Sequence, residues 1–427
     1  MLFNKLTEHE ARRLFEDRAA KGFTVIQSVI FRDLFTPNTP NAHGVRPFAS
    51  DEDMRAVRMN PDWIDYVVRL TRIAADYGLT MGLLPTWGDK WNEHSNSAGP
   101  VIMDRESARG YCRFLSDSLG ECDNVIWILG GDSPVQKQEY ADTIRGMAEG
   151  IRAGASGERL MTFHPSGMSS SDLFHAEPWL DFNSLQTSHY KPNIPGYLHV
   201  ERLFAQQPAK PCLDMEPNYE MCPMFVMAHE QTGTTYTPRF SAYDVRKSYY
   251  RTVLAGAAGF TYGCEPIRQL HREGDRIHIF EGADMPSWGQ ALGAPGSTQL
   301  SLLPSLLRER SYFTRVPAGE LFQPLRQRGV WADPLSVGMA SVGQENTDPV
   351  SHISIARCSE GSWIMVYLPV RQLVTIDTSV LQSERIRVSL YDPEACRASY
   401  SWQQANSGRV RIVPERDLDT LIVIDGE

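Results

Sequence analysis

The chain has 427 residues, 42% of them hydrophobic and 22% charged, with a formal net charge of −10. That length buries a large core and suggests one large domain followed by a smaller one. The acidic balance, with no basic stripe or block of like charge, argues against nucleic acid as a partner, and no run of ~18 apolar residues is present to span a membrane.

In chain order, Thr7-Glu-His-Glu10 reads as a capping box for a helix that closes at Gly22, and Phe23–Ile30 follows as a buried strand. Asn60-Pro61 supplies an N-cap and a first-turn proline for a helix over Trp63–Tyr77, which stops at Gly78 before the strand Leu79–Pro85. Asp104 caps a helix running to Gly120, and Val125–Leu129 follows. A helix at Gln138–Ala153 precedes the strand Arg159–His164, and Asp181–Gln186, Cys212–Met215 and Gly259–Tyr262 complete seven strands. Helices alternating with continuous apolar runs predict a (β/α)8 TIM-type barrel over residues 1–310, with its first strand missing or atypical, because a helix stands where that strand belongs. Past the helix at Leu300–Arg308 the texture changes. Short strands around Ile353–Ala356, Trp363–Leu368, Arg385–Tyr391 and Leu421–Ile424, separated by turns, predict a small β-sandwich domain over 311–427.

Two of the barrel strands end in carboxylates. Asn124-Val-Ile-Trp-Ile-Leu-Gly-Gly-Asp132 closes a β-branched run with two glycines, which let the backbone turn tightly and present the aspartate. Lys210-Pro-Cys-Leu-Asp-Met-Glu216-Pro repeats the design, the proline arguing against a helical surface glutamate. Their spacing is close to three βα repeats of roughly 30 residues, so both are expected at the mouth of the barrel, Asp132 after strand four and Glu216 after strand seven. Taken singly, Asp132 also reads as an N-cap and Glu216 as one half of a structural ion pair. Together they point to acid and nucleophile chemistry on a glycosidic bond.

Other predicted loops at this end carry polar aromatics, histidines and carboxylates: Trp87, Asp89 and Trp91 with His94, then His164, then Gln186, His189 and Tyr190, then Tyr219 and Glu220, and Tyr262. Such a set suits an oligosaccharide or glycoside, which offers hydroxyls to hydrogen-bond and an apolar face to stack. His164 and His189 also read as metal ligands, but no close His-x-His pair accompanies them, so neither a metal nor another cofactor is expected. The seven cysteines are odd in number and lack a C-x-x-C pair, which favours reduced thiols over a disulfide framework or a zinc site. Without a secretory-type apolar segment at its start, the chain as written reads as cytoplasmic, or as periplasmic or secreted if its N-terminus extends further. The oligomeric state is not legible.

Several ordered segments resemble the apiosidase-like glycoside hydrolases, family 140, whose barrels are followed by a small collagen-binding-type β-domain. They are Arg18–Gln27, Val125–Asp132, His164-Pro165, Gln186–His189, Glu216-Pro-Asn-Tyr219-Glu220, Thr261–Gly263 and Pro295-Gly296, and the resemblance runs over nearly the whole chain. The resemblance implies that Asp132 and Glu216 are the catalytic pair and that the substrates are pectic side chains carrying apiose. The chain departs from the family at its start, where the family's opening strand, with its Gly-Asp-Thr-Ala-Trp-like segment, is absent. A retaining mechanism, with Asp132 as acid/base and Glu216 as nucleophile, is the expectation. Two alternatives stand beside it: a glycosidase for another sugar, an arabinofuranoside or a hexoside, and a non-catalytic glycan-binding protein.

Overall fold

In the computed structural model, residues 1–32, 35–93, 98–189, 191–224, 238–277, 284–323 and 349–427 are described. They form two compact units: Met1–Gln186 with Cys264–Gly293, and Thr187–Gly263 with Ala294–Glu427. No helix among the described residues is long and apolar enough to cross a membrane.

In the first unit, local signals set where each element begins and ends. Thr7 opens the Glu8–Ala20 helix, its side chain accepting from the Glu10 N–H while Glu10 accepts from the Thr7 N–H at 2.9 Å. This reciprocal pair satisfies two donors that a helix start leaves open. Gly22, at φ 81°, releases the chain into β1 (Val25–Val29). Asn60 accepts from the Asp62 N–H at 3.1 Å at the start of the Pro61–Asp76 helix, and Gly78, at φ 71°, leads into β2 (Thr80–Leu84). Asp104 and Ser107 cap one another ahead of the Arg105–Ser118 helix and β3 (Val125–Gly130). The Gln138–Ala153 helix then precedes β4 (Met161–His164). These two helices approach closely because Gly146 and Gly150 carry no side chain: a Cβ there would run into the backbone carbonyls of Arg105 and Arg109.

β1 to β4 form one parallel sheet in sequence order, with Val29 level with Leu84, Leu83 with Trp127, and Gly130 with His164. Apolar side chains from sheet and helices fill the space around them, including the fully buried Trp63, Trp127, Phe15 and Phe31. β5 (Ser169–Ser170) and β6 (Asn183–Gln186) add an antiparallel pair.

The second unit contains β7 (Cys212–Asp214) parallel to β8 (Gly259–Phe260), with Asp214 level with Phe260. It also holds the helices Gly196–Phe204 and Ala242–Leu254 and an all-antiparallel C-terminal region. Its described residues form eight strands: β9 (Arg315–Pro317), β10 (Ser354–Cys358), β11 (Trp363–Leu368), β12 (Val374–Asp377), β13 (Arg385–Asp392), β14 (Arg397–Ala405), β15 (Arg409–Ile412) and β16 (Thr420–Gly426). Six of them form a sheet in the order β14-β13-β16-β11-β10-β9, while β12 pairs with β15.

The architecture is thus mixed α/β with parallel sheets, plus an antiparallel β-region. The seven expected strands all appear, and the (β/α)8-type barrel, expected with its first strand missing or atypical, is not closed among the described residues. β1 has β2 as its one ladder neighbour, β8 is two residues long, and β5 runs antiparallel to β6, so the described ladders do not make a ring. The Leu2–Lys5 helix packs against β1, and Leu2 and Phe3 are buried in the first unit's core.

β11 is buried along its whole length and serves two cores by alternation. Trp363, Met365 and Tyr367 join a cluster with Tyr249, Tyr250 and Leu254, whereas Ile364, Val366 and Leu368 join Val374, Ile376 and Val388. Tyr250 stacks on Tyr367 at 4.7 Å, nearly parallel. Beside them Arg246 clamps Asp419 with two bonds of 2.9 and 3.0 Å, and the Tyr367 hydroxyl donates to the same carboxylate at 3.1 Å. With Asp419 fully buried and the Arg246 side chain 3% exposed, the pair has no water to fall back on. Asp419→Ala, which strands a buried guanidinium, is expected to destabilise the protein by about 3–5 kcal/mol in chemical denaturation, and a loss below about 1 kcal/mol would mean that the pair is not needed to hold the β-region to the helix.

Candidate functional site

The first unit presents Asp132 by means of its backbone. Gly130, Gly131 and Asp132 all have positive φ, at 90°, 110° and 40°. Three such residues in succession wrench the chain out of β3, and a non-glycine residue in this region holds strain that the surroundings must enforce. The surroundings are tight. A Cβ on Gly130 would meet the Phe163 ring at 2.5 Å and the His164 carbonyl at 2.7 Å, and one on Gly131 would meet Trp87 at 3.0 Å. The Gly131 N–H donates to the His164 carbonyl at 3.2 Å, and Gly88 donates to the Gly131 carbonyl at 3.0 Å. The Asp132 N–H reaches His164 Nδ1 at 3.4 Å, and Asp132 Oδ1 accepts from the Gly167 N–H at 3.2 Å.

The expected ligand-binding residues of this unit surround that turn in different roles. Trp87 lies 5.6 Å from the His164 ring and, on another side, 4.0 Å from the Arg32 guanidinium. Trp91 is buried in the core and donates to the Gly130 carbonyl at 3.3 Å, supporting the strand end from below. Asp89 is 2% exposed, pairs with the fully buried Lys90 at 3.2 Å and accepts from the Gly99 N–H at 3.0 Å. Burial raises its pKa and Lys90 offsets part of the rise. Gln186 ends β6, buried, with its carbonyl accepting from Met168. Arg32 is a residue that reading the sequence missed, although it stands where a strand-end rule looks for function, just past the apolar run of β1.

The second unit presents Glu216 two residues past β7, 6% exposed, its carbonyl accepting from the Ser188 N–H at 2.8 Å. Asp214, at the end of β7, is fully buried and accepts from the Thr187 hydroxyl at 2.6 Å and the Thr187 N–H at 3.3 Å. These bonds and the Ser188 bond tie the segment after β6 to the segment that carries Glu216. His189 stacks on Tyr219 at 4.7 Å. Tyr219 fits against Gly263, where any side chain would occupy the ring's place. Glu220 is 3% exposed and bonded by three donor contacts: the Tyr262 hydroxyl at 2.6 Å and the Gly296 N–H at 3.2 and 3.1 Å to its two oxygens. Glu220 and Tyr262 therefore fasten this strand end to the helix starting at Pro295. Tyr190 and His94 lie outside the described residues. Among the described residues no three His, Cys, Asp or Glu side chains cluster as metal ligands.

Burial pushes the Asp214 pKa up to about 7; the Thr187 bonds oppose the rise, and the charge of Glu216 adds to it. Between the ordinary carboxylate value near 4 and about 7, the folded protein holds a proton that the unfolded chain has released, so this group's contribution to stability declines as pH rises through that window. Asp214→Asn lacks the group. The stability of wild type relative to the variant, measured by denaturation from pH 4 to 8, is expected to fall by up to roughly 4 kcal/mol. A flat difference would show Asp214 ionised throughout.

Comparison with known proteins matches the chain to a family. The model for the apiosidase-like catalytic domain matches residues 1–314, and the model described as "Putative collagen-binding domain of a collagenase" matches residues 339–425. A solved structure described as a glycoside hydrolase is 24% identical with a TM-score of 0.82, the match covering 100% of this chain and 91% of that one. A family 5 glycoside hydrolase from Bacteroides vulgatus ATCC 8482 is 22% identical with a TM-score of 0.82, covering 100% and 87%. At these identities the likeness is one of fold. No curated protein sequence matches the chain.

Proposed function

The chain belongs to the apiosidase-like family and is a glycoside hydrolase, and from that premise we propose that it releases a terminal furanoside such as apiose from pectic plant cell-wall glycans, with retention, on a (β/α)8-type scaffold. The observation that carries the reading is the left-handed run Gly130–Asp132, a strained backbone that delivers a carboxylate from the end of a buried strand.

In the proposed reaction Glu216 attacks the anomeric carbon and Asp132 protonates the departing glycosidic oxygen, leaving a glycosyl ester on Glu216. Asp132 then takes a proton from the water that hydrolyses the ester. Asp132 Oδ1 accepts from the Gly167 N–H, which helps to hold the carboxyl in place. Asp214 supports the nucleophile: held neutral below about pH 7, it spares Glu216 a second negative charge two residues away.

Asp132→Asn and Glu216→Gln are each expected to lower turnover by at least ~10²–10⁴ with the fold intact. The assay is sugar release from pectin-derived oligosaccharides, resolved by chromatography, which also identifies the sugar. Azide should restore turnover to Glu216→Gly and yield a glycosyl azide of inverted configuration. Activity of either conservative variant within tenfold of wild type would remove that residue from the mechanism.

Prolonged chelation is expected to leave activity unchanged, since no set of three ligands gathers among the described residues. Loss of activity reversed by zinc or calcium would instead make His164 and His189 candidate ligands.

A further inference from the structure

A pocket open to solvent lies in the second unit between the Ala242–Leu254 helix and the loop that follows Thr187. Three cations, Lys191, Lys247 and Arg251, and one carboxylate, Asp244, line it together with Asn193 and Asn218. Lys191 is exposed, whereas Lys247 is 7% and Arg251 4% exposed.

Each buried cation on this helix has to be offset, and Lys247 is offset least. Arg246 has the Asp419 clamp. Arg251 donates to the carbonyls of Pro349, Val350 and His352 at 2.6–3.1 Å, which fixes its guanidinium and keeps its charge in place. For the Lys247 ammonium the described residues offer one ion-pair partner, Asp244 Oδ1, at 3.8 Å, beyond direct hydrogen-bond reach. The other oxygen of Asp244 is taken by the Ser241 N–H and hydroxyl at the helix start. Tyr243 adds only a ring face, 4.7 Å from the ammonium. Burial accordingly lowers the Lys247 pKa, with Asp244 opposing it. On the facing loop Asn193 holds a left-handed backbone, φ 57°, and its Oδ1 is buried with no hydrogen-bond partner among the described residues. The cavity thus combines excess positive charge, an ammonium with donors to spare and an acceptor waiting for a donor.

We propose that this cavity is an anion site, in which Lys247 binds an oxyanion, carboxylate or phosphate, within the field of Arg251, while Asn193 Oδ1 accepts from a hydroxyl on the same molecule. Two sources share that chemistry: a sugar acid, and free inorganic phosphate. Binding here is independent of the hydrolytic reading and is measured without turnover, so failure of one leaves the other standing.

The test is calorimetric titration of the whole protein with sodium glucuronate, glucose and inorganic phosphate. Glucuronate binding that weakens at least tenfold in Lys247→Met but persists in Lys247→Arg, with no Lys247-dependent signal from glucose, is the expected result. Lys247-dependent binding of phosphate alone supports the anion site and assigns it to the free ion. Asn193→Asp, which the left-handed backbone tolerates, sets a carboxylate against the ligand and should abolish binding, and it decides the matter should Lys247→Met fail to fold. Absence of Lys247-dependent binding by either anion at about 10 mM, or full binding by folded Asn193→Asp, would overturn the proposal.

Discussion

A helix that is buried yet carries three cations within two turns cannot leave them to solvent, and the second unit is organised around answering the charges of Arg246, Lys247 and Arg251 on Ala242–Leu254. An unanswered ion in such surroundings costs several kcal/mol, more than most packing gains. The replies come from distant parts of the chain: the Asp419 carboxylate ahead of β16 for Arg246, and backbone carbonyls over residues 349–352 for Arg251. Between them the aromatic face of the same helix, Tyr249, Tyr250 and Leu254, seats on β11. The antiparallel region is therefore joined to the segment carrying Glu216 by charge and by apolar contact on adjoining faces of one helix.

The first unit answers a different constraint, a backbone one. To bring Asp132 out of a buried parallel strand the chain turns through three left-handed residues, and every neighbour has been shaped to permit it. Gly88 lies against the turn without a side chain, Trp91 holds the Gly130 carbonyl, and His164 receives both the Gly131 and Asp132 N–H groups, one on its carbonyl and one on its ring. Conformational strain here is distributed over hydrogen bonds that a flexible loop would lack.

What could be read from the residues alone follows the range of the interactions. The capping pair Thr7 and Glu10, the Asn60-Pro61 start and the glycines at 22 and 78 act within a turn of the chain, and the elements they delimit lie where expected. The seven apolar runs became strands for the same reason. Closure of the strands into a barrel depends on which edges meet, and no local pattern encodes that. The same limit applied to side chains. Glu220 reads as a ligand-binding carboxylate beside a tyrosine, yet its oxygens are occupied by Tyr262 and by Gly296, 76 positions further on. Asp214 stands two residues before Glu216 in the sequence, and its full burial beneath Thr187 appears only in three dimensions. Lys247 and Arg251 share a helix face by spacing, but the loop that completes their cavity comes from more than forty residues upstream.

The alternation along β11 also bears on how the polypeptide is made. Tyr249, Tyr250 and Leu254 leave the ribosome well before Trp363, Met365 and Tyr367, and Asp419 comes almost last. Until then the helix has only its nearer partners, Phe260 beside Tyr249, Gln299 on Arg246, and Leu303, Leu306 and Leu307 of the same cluster. Domains that form during translation usually do so from the N-terminal end onward. Here the helix of the unit that bears Glu216 gains its full cover only once β11 and Asp419 have been made, so the packing of that unit is completed by its last strands.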